Sequence, residues 1–172
     1  MYKTSEMKIE LTHSADKQTF DVFGVLIQFL ATPGQLSDQI SVMRGAIPPG
    51  VMIPLHSHAD PEIFYVLEGS LEVFRSDGSS AEWLTAKADD VVSIPGNVKH
   101  ALRNTSSAPM ISVTITKVEL FEFFRELAKP FDPNQRPGPP TPEEMRNLFS
   151  LAAKYGYWMA TPEENAAIGI SL

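Results

Sequence analysis

Three of the four histidines in this chain fall into one pattern with a glutamate. His56 and His58 are two apart, and on a strand side chains at that spacing leave the same face. Glu62 follows after Ala59-Asp60-Pro61, where Pro61 should bend the chain, so spacing alone does not fix its side. His100 comes far downstream, after Ile94-Pro95-Gly96-Asn97. Three neutral imidazoles and a carboxylate make a good ligand set for a divalent first-row metal such as Fe, Mn, Ni, Co, Cu or Zn. An octahedral ion so held would keep positions open for water, substrate or dioxygen, which separates a reactive metal from a closed structural one. The fourth histidine, His13, lies in a polar stretch and reads as a surface residue.

Bringing His100 to His56 requires a frame that returns on itself. Up to about residue 118 the chain is a series of short segments rich in Val, Ile, Phe and Thr, which predict strands over 21–30, 38–47, 63–67, 71–75, 90–94 and 110–118. Pro48-Pro49-Gly50 suits a type II turn with Gly50 at positive φ. Glu68-Gly69 and Asp77-Gly78 fit tight hairpins. Many short strands between regular turns predict an all-β sandwich or barrel, and no βαβ rhythm is present.

The pattern changes after Val118. Residues 119–128, with Leu120, Phe121, Phe123, Phe124 and Leu127, predict a helix with one broad apolar side, ending before Pro130. Six prolines in residues 130–142 read as an extended connector. Thr141-Pro-Glu-Glu144 predicts a capped helix start, and that helix should end near Tyr155-Gly156. Thr161-Pro-Glu-Glu164 repeats the start for a last short turn. The expected division is an N-terminal segment (1–19), a β-barrel (20–118) and a helical C-terminal extension (119–172).

The 172 residues suit one domain, and 43% hydrophobic content supports a real core. A formal net charge of -7 argues against nucleic acid and against anionic membranes. No run is long and apolar enough for a membrane span, and residues 1–12 lack the apolar core of a signal peptide, so a cytoplasmic location is expected. The absence of cysteine removes disulfides, thiolate ligands and cysteine nucleophiles together.

The full spacing resembles the cupin superfamily. Its first motif is Gly, five residues, His-X-His, three or four residues, Glu, six residues, Gly; Gly50, His56, His58, Glu62 and Gly69 fill every fixed position. Its second motif is Gly, five residues, Pro-X-Gly, two residues, His, three residues, Asn; here Pro95, His100 and Asn104 match. Asp89 and Asn97 stand where that motif has glycines. Asp and Asn tolerate left-handed backbone better than other non-glycine residues. The resemblance implies a double-stranded β-helix, or jelly roll, with a metal held by His56, His58, Glu62 and His100. It implies a structural role for Asn104 and pairing of two copies into a homodimer.

With Glu62 facing the metal, Phe64 and Val66 on the same strand should face inward, as should Leu102, two after His100. Together they predict a mostly apolar substrate cavity with one polar end. Among Arg44, Gln28, Gln39 and Arg103, the residues best able to orient a substrate, Arg44 is the candidate; Arg103 has the wrong parity to His100. Phe121, Phe123 and Phe124 either lid the barrel mouth or pack the helix on the sheet. Fold does not set function, and cupins span several reaction classes. The complete ligand set and apolar cavity favour an oxygenase-type oxidoreductase resembling the quercetin dioxygenase group, with Glu62 also serving as a base. The alternatives are a metal-assisted isomerase or decarboxylase of a polar acid or sugar, and a non-enzymatic binding module for a small molecule.

Overall fold

The structure, a computed structural model, describes residues 9–76, 80–134 and 140–171. Ten strands precede the first helix: β1 (Phe20–Val22), β2 (Val25–Ala31), β3 (Ile40–Ile47), β4 (Met52–Ser57), β5 (Glu62–Glu68), β6 (Ser70–Ser76), β7 (Ala81–Lys87), β8 (Val91–Ile94), β9 (His100–Arg103) and β10 (Met110–Lys117). Then come α1 (Val118–Leu127), β11 (Lys129–Pro130), α2 (Pro142–Lys154), β12 (Trp158–Met159) and α3 (Pro162–Ala167). Burial alternates along the strands as period-two patterning requires. β5 buries Glu62, Phe64 and Val66 and turns Ile63, Tyr65 and Leu67 outward, while β3 buries Ser41, Met43, Gly45 and Ile47.

The strands form two antiparallel sheets, ordered β11-β1-β2-β3-β10-β5-β8 and β12-β4-β9-β6-β7. Ile47, Phe64, Val66, Leu71, Val73, Leu102 and Met110 form the core between them. This is a jelly roll. The helices cover one end of it: Leu120, Phe123, Leu127, Leu151 and Ala152 pack with Val22 and Ile27 in a second core. The C-terminal segment also adds a two-residue strand to each sheet, β11 on β1 and β12 on β4.

Several expectations need correction. Residues 21–30 are two strands, because Phe23 (φ 51°) and Gly24 (φ 90°) make a tight reversal that leaves Val22 opposite Val25. The Gly24 N–H donates to Asp21 Oδ1 at 2.6 Å, and a bulky aromatic at positive φ hides such a turn from sequence reading. Strands β4, β7 and β9 were also not expected. β4 carries Pro54 and two polar residues, β7 mixes Trp83 and Thr85 with Ala, Glu and Lys and buries only Ala86, and β9 has only four residues. The Asp77-Gly78 turn lies outside the described residues, although β6 and β7 pair up to Ser76 and Ala81. The connector is only partly visible, since residues 135–139 lie outside the described set.

Other local features match their sequence signals. Gly50 has φ 80° and the Val51 N–H donates to Pro48 O. Asp89 (φ 72°) and Asn97 (φ 64°) adopt the left-handed backbone that their motif positions require. Capping boxes begin α2 at Thr141 and α3 at Thr161. Asn104, 1% exposed, ties the barrel end together. Its Nδ2 donates to Ile47 O and Ala108 O, both at 2.8 Å, and its Oδ1 accepts from the Ser106 N–H and hydroxyl. Asn104→Ala should lower unfolding free energy by about 2–3 kcal/mol in urea denaturation, because buried carbonyls lose their donors. A loss near zero would refute this role.

Candidate metal centre

The two sheets each deliver part of the site. His56 on β4 and His100 at the start of β9 are direct cross-strand partners. His58 follows the end of β4. The chain then crosses to the other sheet, where Glu62 opens β5 opposite Ile94 of β8. The bend expected at Pro61 is thus a passage between sheets. The cross-sheet passage, rather than strand parity, faces Glu62 toward the histidines.

Backbone carbonyls orient all three rings. His56 Nδ1 donates to Pro54 O at 2.7 Å, His58 Nδ1 to Asp60 O at 2.7 Å and His100 Nδ1 to Val98 O at 2.8 Å. A carbonyl can only accept, so the proton sits on Nδ1 and the Nε2 lone pair is left free. The ligand atoms of these histidines lie within 4.8 Å of one another. Glu62 Oε2 stands 3.3 Å from both His58 Nε2 and His100 Nε2, and both nitrogens are buried without a hydrogen-bond partner. Imidazole nitrogens and a carboxylate converging in one buried place fit a cation, and outer-shell carbonyl acceptors of this kind typically fix metal-binding imidazoles. The ionisation states differ among the ligand residues: burial lowers His58, but the Glu62 carboxylate outweighs it and raises His58. Burial first, and His100 second, push His56 down to about 3, so it is neutral. Burial opposes ionisation of Glu62, yet His100 and His58 hold its carboxyl down to about 2, so it is anionic. Three histidines in this structure could therefore hold a metal ion, with Glu62 beside them.

One close approach holds the ligand loops together. A methyl built on Gly96 would lie 2.0 Å from the Ala59 carbonyl oxygen, so only glycine lets the 95–97 turn rest there. The neighbouring Asn97 N–H donates to His58 O at 2.6 Å. The loop before His100 is thereby fastened to the loop after His58.

A cavity of about 160 Å³ opens beside His56, His58 and Glu62. Its wall is mostly apolar, including Ile27, Met43, Phe64 and Leu102, with Ser112, Thr114 and Tyr157 as further polar members. Among the described residues, no Lys or Arg lines it. Phe64 and Leu102 both line the cavity. Val66 lies instead in the barrel core, in one cluster with Leu71 and Met110. Arg44 must be corrected: it alternates with inward Met43 and Gly45 on β3 and does not line the cavity. Gln28 donates to Lys17 O and Thr19 Oγ1, and Arg103 pairs with Glu72 beneath Trp83, so neither reaches the site. Gln39 and His13 are exposed. Phe123 and Phe124 line the cavity, whereas Phe121 packs on Phe29.

Two participants escaped sequence reading. Asp60, buried between the ligands, accepts the Leu120 N–H of α1 at 3.0 Å and caps a helix that has no side-chain cap of its own. Tyr157 sits with its ring 5.3 Å from that of His58. Burial, then Asp60 and Glu119, push its phenol far up, so it stays protonated. Neither carries a local signal, since both act through contacts distant in sequence.

Residues 43–116 match the sequence family described as Cupin domain. Residues 43–116 thus form a cupin domain. No curated protein sequence matches it. Solved structures share the cupin fold at low identity. A predicted oxalate decarboxylase from Thermotoga maritima aligns with TM-score 0.55 and 21% identity, over 63% of this chain and 99% of that one. The polyketide cyclase RemF from Streptomyces resistomycificus aligns with TM-score 0.54 and 16% identity, over 63% and 79%. The oxalate decarboxylase of Lactobacillus farciminis aligns with TM-score 0.52 and 24% identity, over 62% of this chain but only 32% of its own. Among the described residues of this cupin, no helix is long and apolar enough to cross a membrane.

The Gly96 contact yields a direct test. Gly96→Ala should destabilise the protein by about 2 kcal/mol and reduce its divalent-metal uptake together, because the added methyl pries apart the two ligand loops. Denaturation and elemental analysis of the same preparation check both; unchanged metal uptake would contradict the clamp.

Proposed function

We propose that this cupin is a metal-dependent enzyme acting on a small, largely apolar organic molecule, and that its reaction is an oxygenase-type oxidation. The observation that carries this reading is the convergence of three oriented imidazoles, two of them with buried and unpartnered Nε2 atoms, and a carboxylate at one end of an apolar cavity. His56, His58, Glu62 and His100 would be the ligands of one divalent ion. When bound, such an ion would supply Lewis acidity and open positions for substrate or dioxygen. The chain's own residues do the rest. The carbonyls of Pro54, Asp60 and Val98 keep the rings in the ligating tautomer. Phe64, Leu102 and Met43 take the apolar body of the substrate out of water. Glu62, anionic and within the cavity wall, accepts the proton of a substrate hydroxyl.

The competing reading as an isomerase or decarboxylase of a polar acid or sugar is less well supported. Oxalate, the substrate named for two of the structural neighbours, carries two carboxylates, and a site for it would need cationic or multiple polar partners. Among the described residues the cavity lining has no Lys or Arg, and Arg44 alternates with the inward residues of β3. We further propose a homodimer, supported by the exposed apolar side chains Ile63, Tyr65 and Leu67 on β5 and Val91 on the neighbouring β8. A light-scattering mass of one chain would count against it.

Elemental analysis of purified protein should find a divalent metal that His56→Ala loses. Metal-loaded protein should consume oxygen with at least one member of a panel of flavonols, catechols and diketones. Retained metal in His56→Ala would refute the site. Metal without oxygen uptake would refute the oxygenase class, and tight binding without turnover would then favour a binding module.

A further inference from the structure

Tyr157 is the residue of this cavity whose chemistry is least accounted for. It is 9% exposed, lines the cavity, and its hydroxyl is buried with no hydrogen-bond partner. A buried phenol normally finds an acceptor, and leaving one without costs stability. The fold nevertheless places it by several independent devices. At the end of α2, Gly156 takes φ 69°, its N–H donates to Ala153 O, and the Tyr157 N–H donates to Ala152 O. These are the bonds of a Schellman stop, which fixes the direction in which the chain leaves the helix. The next two residues, Trp158 and Met159, pair as β12 with Ser57 and His56 of β4. That register brings Tyr157 beside His58, with the Phe123 ring tilted against it at 4.8 Å.

We propose that Tyr157 is a ligand-binding residue, donating a hydrogen bond to an oxygen of a small carboxylate or carbonyl compound held at the His56–His58–Glu62–His100 centre. The proposal rests on the metal reading above and deepens it by naming the ligand's second polar contact. The ligand class is an apolar body bearing an oxygen acceptor at one end: one oxygen meets the metal, another the phenol. An aromatic carboxylate is its simplest member. A cavity of about 160 Å³ suits it, since an apolar cavity of roughly 150 Å³ holds benzene. The helical extension is then part of the binding site, and the unpartnered hydroxyl is a donor reserved for the ligand.

The probe is benzoate, titrated against the full-length protein loaded with Co²⁺ and followed by the visible spectrum of the metal. Tyr157→Phe keeps the ring that packs on His58 and Phe123 and removes only the hydroxyl. The variant should take up Co²⁺ as the wild type does, and its benzoate affinity should fall about tenfold or more. In the metal-free form its thermal midpoint should be equal or higher, because an unsatisfied buried group has gone; a purely structural tyrosine would instead lower it. Equal benzoate affinity in the variant overturns the proposal. So does a wild type that binds Co²⁺ but gives no response to benzoate, which leaves the metal reading intact. A wild type that takes up no Co²⁺ removes the metal reading and this proposal with it.

Discussion

The contact of Gly96 with the Ala59 carbonyl sets the distance between the two halves of the centre. His58 lies just before one side of that contact and His100 just after the other. Because the obstructing atom is backbone oxygen, no rotamer change could relieve a side chain placed there. The Asn97 N–H, pointed at His58 O, completes a short two-point fastening. Everything that follows depends on it: the cross-strand pairing of His56 with His100, the 3.3 Å approach of Glu62 from the opposite sheet, and the position of the cavity's polar end. Asn104 does similar work at the far end of β9, where a single amide satisfies two carbonyls and accepts two donors.

The residues of the centre were legible because their spacing is a chemical requirement. His-X-His alone marks little; it is the joint fit of Gly50, His56, His58, Glu62, Gly69, Pro95, His100 and Asn104 to the spacing of the cupin motifs that singles the residues out. Strands such as β5 were legible because Phe64 and Val66 alternate with outward residues. β4 and β9 were not, because ligand residues occupy places that apolar alternation would otherwise mark. The Phe23-Gly24 reversal was hidden by an aromatic in a conformation it seldom adopts. Arg44 was misjudged for a simpler reason: a turn separates it from the ligands, and a strand's facing cannot be carried through a turn by counting. Tyr157 had no signal at all. Its position follows from a two-residue strand and a helix stop, both of which draw meaning only from what lies beside them in space.

The cavity divides its chemistry sharply. Charge is confined to one wall, where imidazoles and a carboxylate meet, while the opposite walls come from β2, β3 and the aromatic face of α1. With no Lys or Arg among the described lining residues, the polar groups facing the cavity are the histidine and Glu62 end, Ser112, Thr114 and Tyr157. Such a site discriminates by shape and by the placement of one or two oxygens rather than by net charge.

The bond from the Leu120 N–H to Asp60 Oδ2 carries a further implication. Asp60 offers its carbonyl to His58 and its carboxylate to α1, so one residue belongs to both the centre and its cover. Binding at the centre and docking of the helices therefore share a free energy. By reciprocity, whatever factor the docked helices add to ligand affinity, an occupied centre adds to the docking of the helices.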